Sequence, residues 1–196
     1  MARWAPDKKD TLEALAAEIL HNYGHGRAIV AVDGRRDSGM RQFADDLAET
    51  LHTGGHTVFH ASIEDFRQPR SRRERGIYSD GYDHSLLRRV LIDPFRTAGS
   101  TGFSLTGFDG NRDEPVFQPK WKSAGLDAIL IVDGVFLNRP ELSGIWNYSV
   151  WLENPPTVED IDDAAYLAAV TPSAQATAIY DNSDPEHPRR IFADSC

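Results

Sequence analysis

Two glycines separated by four residues, Gly34 and Gly39, frame the first stretch of this sequence whose residue types suit a chemical task. They enclose Arg35, Arg36, Asp37 and Ser38, follow the apolar run Ala28–Val32 and Asp33, and lead directly into an amphipathic pattern. A loop of this form binds phosphate through backbone N–H groups that curl around its oxygens, while the next helix presents the positive end of its dipole. The side chains that complete such a loop are different here. Met40 stands where the GxxxxGK[ST] pattern has a lysine for the outer phosphates, and Arg41 stands where it has a hydroxyl for Mg2+. Asp133 is a second candidate, closing the apolar run that starts at Leu126 and preceding Gly134. An acid at the end of such a strand helps organise Mg2+ and its waters. Between these two places lies RQPRSRRER, with five arginines from Arg67 to Arg75. Arginines such as Arg70 suit a phosphate contact or a substrate lid, the plain alternative being a solvated polar loop.

The elements that must position these residues follow from periodicity. Leu12, Leu15, Ala16, Ile19, Leu20 and Tyr23 recur at helical spacing, with Asp10 or Thr11 as N-cap and Gly24 as the stop. A strand over Arg27–Asp33 precedes the glycine loop, and Met40, Phe43, Ala44, Leu47, Ala48 and Leu51 give the next helix one clean apolar stripe. Met40 therefore also reads as the start of a core face. After Gly54-Gly55, HTVFHAS (His56–Ser62) predicts a second strand parallel to the first. Its loop must emerge at the strands' carboxyl ends, where ligands bind in open α/β sheets. Asp83 caps a helix with Leu86, Leu87, Val90 and Leu91 inward, ending near Pro94. Residues 98–125 read as a small hairpin excursion, with FSLTGFD and PVFQP as its strands. Leu126–Asp133 and Asn147–Leu152 are further strands, separated by a short helix from Asn138 to Ile145. Thr157 to Asp160 forms a capping box before a helix that turns Ile161, Ala164, Ala165 and Ala168 to one face. Ala176–Asp181 is the last strand, and the tail after Pro185 folds back or frays.

Composition narrows the function classes. At 196 residues and 40% hydrophobic, the chain suits one domain over 1–196 with a proper core. A net charge of -9 repels a polyanion, so nucleic acid is not an expected partner. The sole cysteine is Cys196, which excludes an intrachain disulfide. Neither an apolar run of membrane length nor a signal peptide is visible, and the expected location is the cytoplasm with no membrane partner. The seven histidines lack paired metal-ligand spacing, and His60 reads as a plain strand residue. Trp4, Trp121, Trp146 and Trp151 read as packing residues or hairpin anchors.

In order and spacing, VAVDGxxxxG, SIEDFRQPR, YSDGYDHSLLRRVLIDP, ILIVDGVFLNRPEL and IYDNSDP resemble the P-loop kinases of the uridine kinase and phosphoribulokinase-like group. The resemblance runs from about Arg27 to Pro185 and is best through Glu153. It implies an α/β fold, a P-loop NTPase-like three-layer sandwich whose parallel sheet has the order 2-3-1-4-5, with helices on both faces. It also implies ATP at the glycine loop and a hydroxyl-bearing acceptor over the strand ends. On this resemblance Glu64, beside Asp65, takes the acceptor's hydroxyl proton, which is sensible general-base work for a carboxylate. Asp80, Tyr82 and Asp83 fall where the group builds its acceptor pocket, Arg139 and Lys120 are candidates to line the same cleft, and Asp133 serves a metal through water.

Three departures converge against that activity. Met40 and Arg41 remove the lysine and the hydroxyl, although phosphoryl transfer rests on positioning and charge neutralisation. Arg41 keeps a charge one residue late, with a different geometry. From Pro140 through Pro188 there is no lysine or arginine, so the arginine-bearing lid expected after the fourth strand is replaced by a short acidic, alanine-rich helix. The leading reading is a catalytically degenerate member of the fold, kept for a small phosphorylated ligand or a partner. The alternative is an active kinase of a nucleoside or similar hydroxyl compound, with ATP and Mg2+ as cofactors and Arg41 or the Arg67–Arg75 cluster as replacement cations.

Overall fold

The computed structural model describes residues 6–97, 99, 101–156 and 158–192. Trp4, Ala98, Thr157 and Cys196, on which expectations about packing, the hairpin's start, the capping box and disulfides rest, lie outside them. In chain order the strands are β1 (Ala28–Gly34), β2 (Val58–Ser62), β3 (Phe103–Ser104), β4 (Phe108–Asp109), β5 (Glu114–Pro115), β6 (Trp121–Lys122), β7 (Ile129–Asp133), β8 (Tyr148–Glu153), β9 (Ala178–Asp181) and β10 (Arg189–Ile191). The α-helices are α1 (Lys8–Tyr23), α2 (Met40–Thr53), α3 (Ile77–Asp80), α4 (His84–Leu87), α5 (Asp93–Arg96), α6 (Ile161–Ala169) and α7 (Pro172–Gln175).

The main sheet runs β2-β7-β1-β8-β9-β10, and its first five strands are parallel. Counted among themselves along the chain, those five have the order 2-3-1-4-5. The tail folds back as β10, antiparallel to β9, which makes the sheet mixed. Two contacts hold this edge: Thr11 Oγ1 donates to Pro188 O at 3.0 Å, and Arg190 meets Glu18 at 3.0 Å. β1 is buried along its whole length, as an apolar central strand covered on both faces should be. The α2 stripe of Met40, Phe43, Ala44, Leu47 and Leu51 packs into the same core. The parallel strands bring Gly34, Ser62 and Asp133 to one end of the sheet: Ser62 is the register partner of Asp133, and Asp133 of Val32.

Four local expectations need correction. α1 is capped by Asp7, which accepts from Asp10 N at 2.9 Å, because the Thr11 hydroxyl serves the tail. The helix after Asp83 passes through Pro94 to Arg96. A π-helical segment at Arg88–Ile92 comes directly before that stretch, so the ladder is already shifted where proline lacks its N–H. The expected helix over Asn138–Ile145 contracts to a 3-10 turn at Pro140–Leu142, with Asn138 committed to other partners. In α6 the inward residues are Asp163 and Tyr166, while Ile161 is 85% exposed. Polar partners, described next, orient this helix against its apolar pattern. The excursion contains two antiparallel ladders, β3 with β6 and β4 with β5; Trp121 lies in the first but is largely exposed instead of packed.

Candidate functional site

The glycine loop is built from the inside. Asp33, fully buried at the end of β1, accepts from Gly34 N at 2.9 Å, Asn138 N at 2.9 Å, Asn138 Nδ2 at 2.8 Å and the Tyr166 hydroxyl at 2.6 Å. Burial pushes its carboxyl up to about 6 against the pull of these donors. Gly34 has no room for a side chain, since a Cβ would lie 2.2 Å from Ser38 Oγ and 3.2 Å from Leu152 O. Gly39 sits at φ +78, which favours glycine, and Asn182 braces it by donating to Ser38 O at 2.7 Å. Ser38 is buried inside the turn closed by its own N–H on Arg35 O, and it faces no histidine partner. Asn154 Nδ2 reaches Asp37 at 3.2 Å.

Acids from α6 meet this loop directly. Arg36 N donates to Asp163 Oδ2 at 3.3 Å. The Arg36 guanidinium lies 3.2 Å from Asp160 and 3.5 Å from Asp162. Asp160 is also the helix cap, accepting from Asp162 N and Asp163 N. Arg35 lines a separate cavity with Asp160, Ile161 and Asp163. Met40 is 8% exposed and belongs to the core, so it presents nothing polar to the loop, while Arg41 is exposed.

A second polar cluster lies across the strand ends. Asp133 Oδ1 is 2.7 Å from His60 Nε2, its Oδ2 accepts from Ser62 Oγ at 3.1 Å, and His60 Nδ1 is 2.7 Å from Asp45. Burial pulls the His60 pKa down, but the hydrogen bonds and charges of Asp133 and Asp45 outweigh it and leave the pKa raised. The ring thus sits between two carboxylates, one at each nitrogen, and both favour its protonated form. Glu64 accepts from the Tyr82 hydroxyl and pairs with Arg67. Burial raises the pKa of Asp65, with Asp133 and Glu64 adding to it and Arg41 opposing. Arg36, Gly39, Met40, Arg41, Ser62, Glu64 and Asp133 all line one cavity of 270 Å3, so the loop and the candidate base do converge. A larger cavity of 660 Å3, between α1 and α2, includes none of these residues.

The acceptor-side residues are mostly committed within the chain. Asp83 caps α4 by accepting from Leu86 N at 2.8 Å, and Asp80 is gripped by Arg75. Arg139 is 8% exposed, with two 2.9 Å bonds to Glu141, a 2.8 Å bond to Tyr78 O and its guanidinium 4.9 Å from the Tyr78 ring centre. That clamp holds the Glu141 pKa down at about 2. Arg70 and Lys120 are exposed, and neither lines the 270 Å3 cavity.

Asp33, His60, Tyr166 and Asn182 were given no role by the sequence reasoning. His60 carried a usable signal, because the order 2-3-1 sets β2 beside β7 and so sets His60 near Asp133. For Tyr166 there was none, since an alanine-rich helix does not announce which face it buries.

The donor set does not match a metal nucleotide. Both Asp133 oxygens already have partners, and position 41 offers a guanidinium where a metal needs an oxygen. Among the described residues, no group of three or more His, Cys, Asp or Glu is arranged to hold a metal ion. Among them, too, no helix is long and apolar enough to cross a membrane.

No protein-family model matches the sequence, and no curated protein matches it either. Solved structures do match the fold. A possible uridine kinase from Bacillus stearothermophilus aligns with TM-score 0.73 and 22% identity, over 88% of this chain and 98% of that one. A putative fructose transport system kinase from Silicibacter sp. TM1040 gives TM-score 0.58 and 23% identity, over 83% and 88%. A D-glycerate 3-kinase from Cryptococcus neoformans var. grubii gives 0.51 and 9%, over 86% and 87%. At these identities the likeness establishes the P-loop kinase-like α/β fold and nothing finer.

Proposed function

We propose that this chain is a catalytically degenerate P-loop kinase fold that acts in the cytoplasm and binds a small phosphorylated ligand or a partner instead of transferring phosphate. One observation carries the reading: the charges that phosphoryl transfer requires are absent or already neutralised inside the chain. Met40 lies in the core where a lysine would reach phosphate, and Asp133 is paired with His60 where an acid would serve a metal. Transfer depends on positioning and charge neutralisation almost entirely, so these two changes remove its main contributors. Gly39 takes the left-handed φ that such a loop needs, and backbone N–H groups need no lysine to bind an anion.

A second reading has its own support. Arg41 acts on Asp65 electrostatically, and Arg36, Arg41 and Glu64 share the 270 Å3 cavity. On that reading the chain is a kinase of a nucleoside or similar small hydroxyl compound, with ATP and Mg2+ as cofactors and Glu64 or Asp65 as base. Calorimetric titration with ATP, with and without Mg2+, separates the two. The natural protein is expected to bind no ATP with Mg2+ dependence, and a Met40→Lys/Arg41→Thr variant is expected to gain binding. Micromolar, Mg2+-enhanced binding by the natural protein, with ADP released on adding uridine, would establish the active reading instead.

A further inference from the structure

We propose that α6 is an autoinhibitory plug: its first turn serves as an internal anion on the glycine loop, and a phosphate-class anion gains the loop only by displacing it. Three contacts place the acids where an oxyanion would bind. Asp163 Oδ2 accepts from the backbone N–H of Arg36, inside the glycine frame, and Asp160 and Asp162 neutralise the guanidinium of the same residue. Loops of this shape bind phosphate with that same combination of amide and cation. A carboxylate there both fills a donor and repels a second anion.

The plug reaches across the cleft. Asp162 Oδ1 accepts from Tyr78 N at 2.9 Å, and a Cβ on Gly76 would come within 2.7 Å of that oxygen. Gly76 has φ +101, so the segment before α3 adopts a conformation natural to glycine in order to meet the helix. Tyr166 anchors the other end, 1% exposed and bonded to Asp33. One helix therefore ties the phosphate loop to the acceptor-side segment, and its release would free both.

The docked state also carries a flaw that favours release. Asp163 is 8% exposed, yet its Oδ1 is buried without a hydrogen-bond partner. A buried unmet carboxylate oxygen is costly. Asp163 thus gains one loop amide through Oδ2 while its Oδ1 goes unmet, so it holds the loop less firmly than a fully paired carboxylate would.

The test uses the full chain and inorganic pyrophosphate without metal. Calorimetry compares the natural protein with Asp160→Asn/Asp162→Asn/Asp163→Asn, which keeps the cap and the Tyr78 acceptor while removing the charge. Removing like charge beside the bound anion is expected to tighten pyrophosphate binding about tenfold or more. In parallel, saturating pyrophosphate is expected to speed amide hydrogen exchange across residues 160–169 of the natural protein. A folded triple variant whose affinity equals that of the natural protein overturns the proposal. Should the triple variant not fold, Asp163→Asn alone takes its place and is judged by the same comparison. Pyrophosphate binding that leaves 160–169 fully protected also overturns it. Kinase turnover by the natural protein would defeat the degenerate reading, but the pyrophosphate comparison would still decide the plug.

Discussion

Two neighbouring strands, β1 and β7, each carry a buried aspartate followed by a glycine at the carboxyl end, yet the two carboxylates are stabilised in different ways. Asp33 is surrounded by neutral donors: two backbone amides, the Asn138 side chain and the Tyr166 hydroxyl. Asp133 has the His60 ring and the Ser62 hydroxyl. Neutral donors locate a charge without cancelling it, so burial still lifts Asp33 to about 6. The His60 ring offers Asp133 a partner that opposes its charge when protonated, and its raised pKa favours that form. The phosphate side of the cleft is thus set by neutral donors, whereas the side where a metal would be expected is set by a titratable internal partner.

Removing each carboxylate's partners should break this contrast, and the largest effect is expected from Asp33→Ala. It strands three donors at once, the Gly34 amide, the Asn138 side chain and the Tyr166 hydroxyl, since Asn138 N keeps the Tyr166 oxygen as an acceptor. At about 1 kcal/mol for each, the loss is about 3 kcal/mol, measured as a lowered urea midpoint at constant slope. A loss below about 1 kcal/mol would mean that water or a shifted Asn138 satisfies those donors, and the account of Asp33 would be wrong.

Protonation sharpens the contrast next. The Asp33 carboxyl rises from 3.8 to about 6 on folding, so the folded state binds more protons in that interval and stability increases as pH falls through it. Two units correspond to about 3 kcal/mol between about pH 7 and pH 4. His60 acts in the same direction but in a higher window. Its contribution is fully present below its unfolded value of 6.5 and is lost as pH rises through its raised folded value. Asp33→Asn should therefore flatten the stability curve below about pH 6, and His60→Gln should flatten it above about pH 6.5. Glu141, held near 2, loses its contribution only at lower pH and does not mask either change. A single variant that flattened both windows would show that the two carboxylates titrate as one system.

His60→Leu follows in size, leaving Asp133 with Ser62 alone. Breaking a fully buried pair costs about 3–5 kcal/mol, but the His60 side chain is 18% exposed, so about 2 kcal/mol is expected. The same variant separates counter-charge from packing. Adding Asp133→Asn to it should recover part of the loss, because no buried unpaired charge then remains, Asp45 being solvent-exposed. No recovery would assign the role of His60 to packing.

These contrasts also show what the sequence could carry. The five parallel strands, the glycine frame and the Asp83 cap were legible, because periodicity and short-range turn chemistry determine them. The commitments of the polar groups were not. Tyr166 meets Asp33 across 133 positions, and Arg139 spends its guanidinium on Glu141 and on Tyr78, 61 positions away. Nothing local distinguishes such a residue from a ligand contact. The α6 face was misjudged for the same reason: its alanines suggested a buried stripe, but a buried hydroxyl and a carboxylate with partners on the loop outweighed a few methyl groups.

The smallest effect should come from Tyr166→Phe, and it bears on both halves of the comparison. The ring would keep its contacts with Phe136 at 5.1 Å and Tyr78 at 5.7 Å, so packing is preserved. Only the hydroxyl is lost, and with it one of the four donors to Asp33 and the acceptor for Asn138 N. Asn138 N retains Asp33, so no donor is stranded, and the cost is about 1 kcal/mol. Losing that donor also lifts the Asp33 carboxyl further, moving the acid-side rise in stability to higher pH. The window governed by His60 should stay where it is, since Tyr166 touches neither His60 nor Asp133. Denaturation curves for Tyr166→Phe across both windows would show the lower one displaced and the upper one fixed. Displacement of the upper window would mean that charge on one strand end is felt at the other, and the two aspartates would then form a single electrostatic unit.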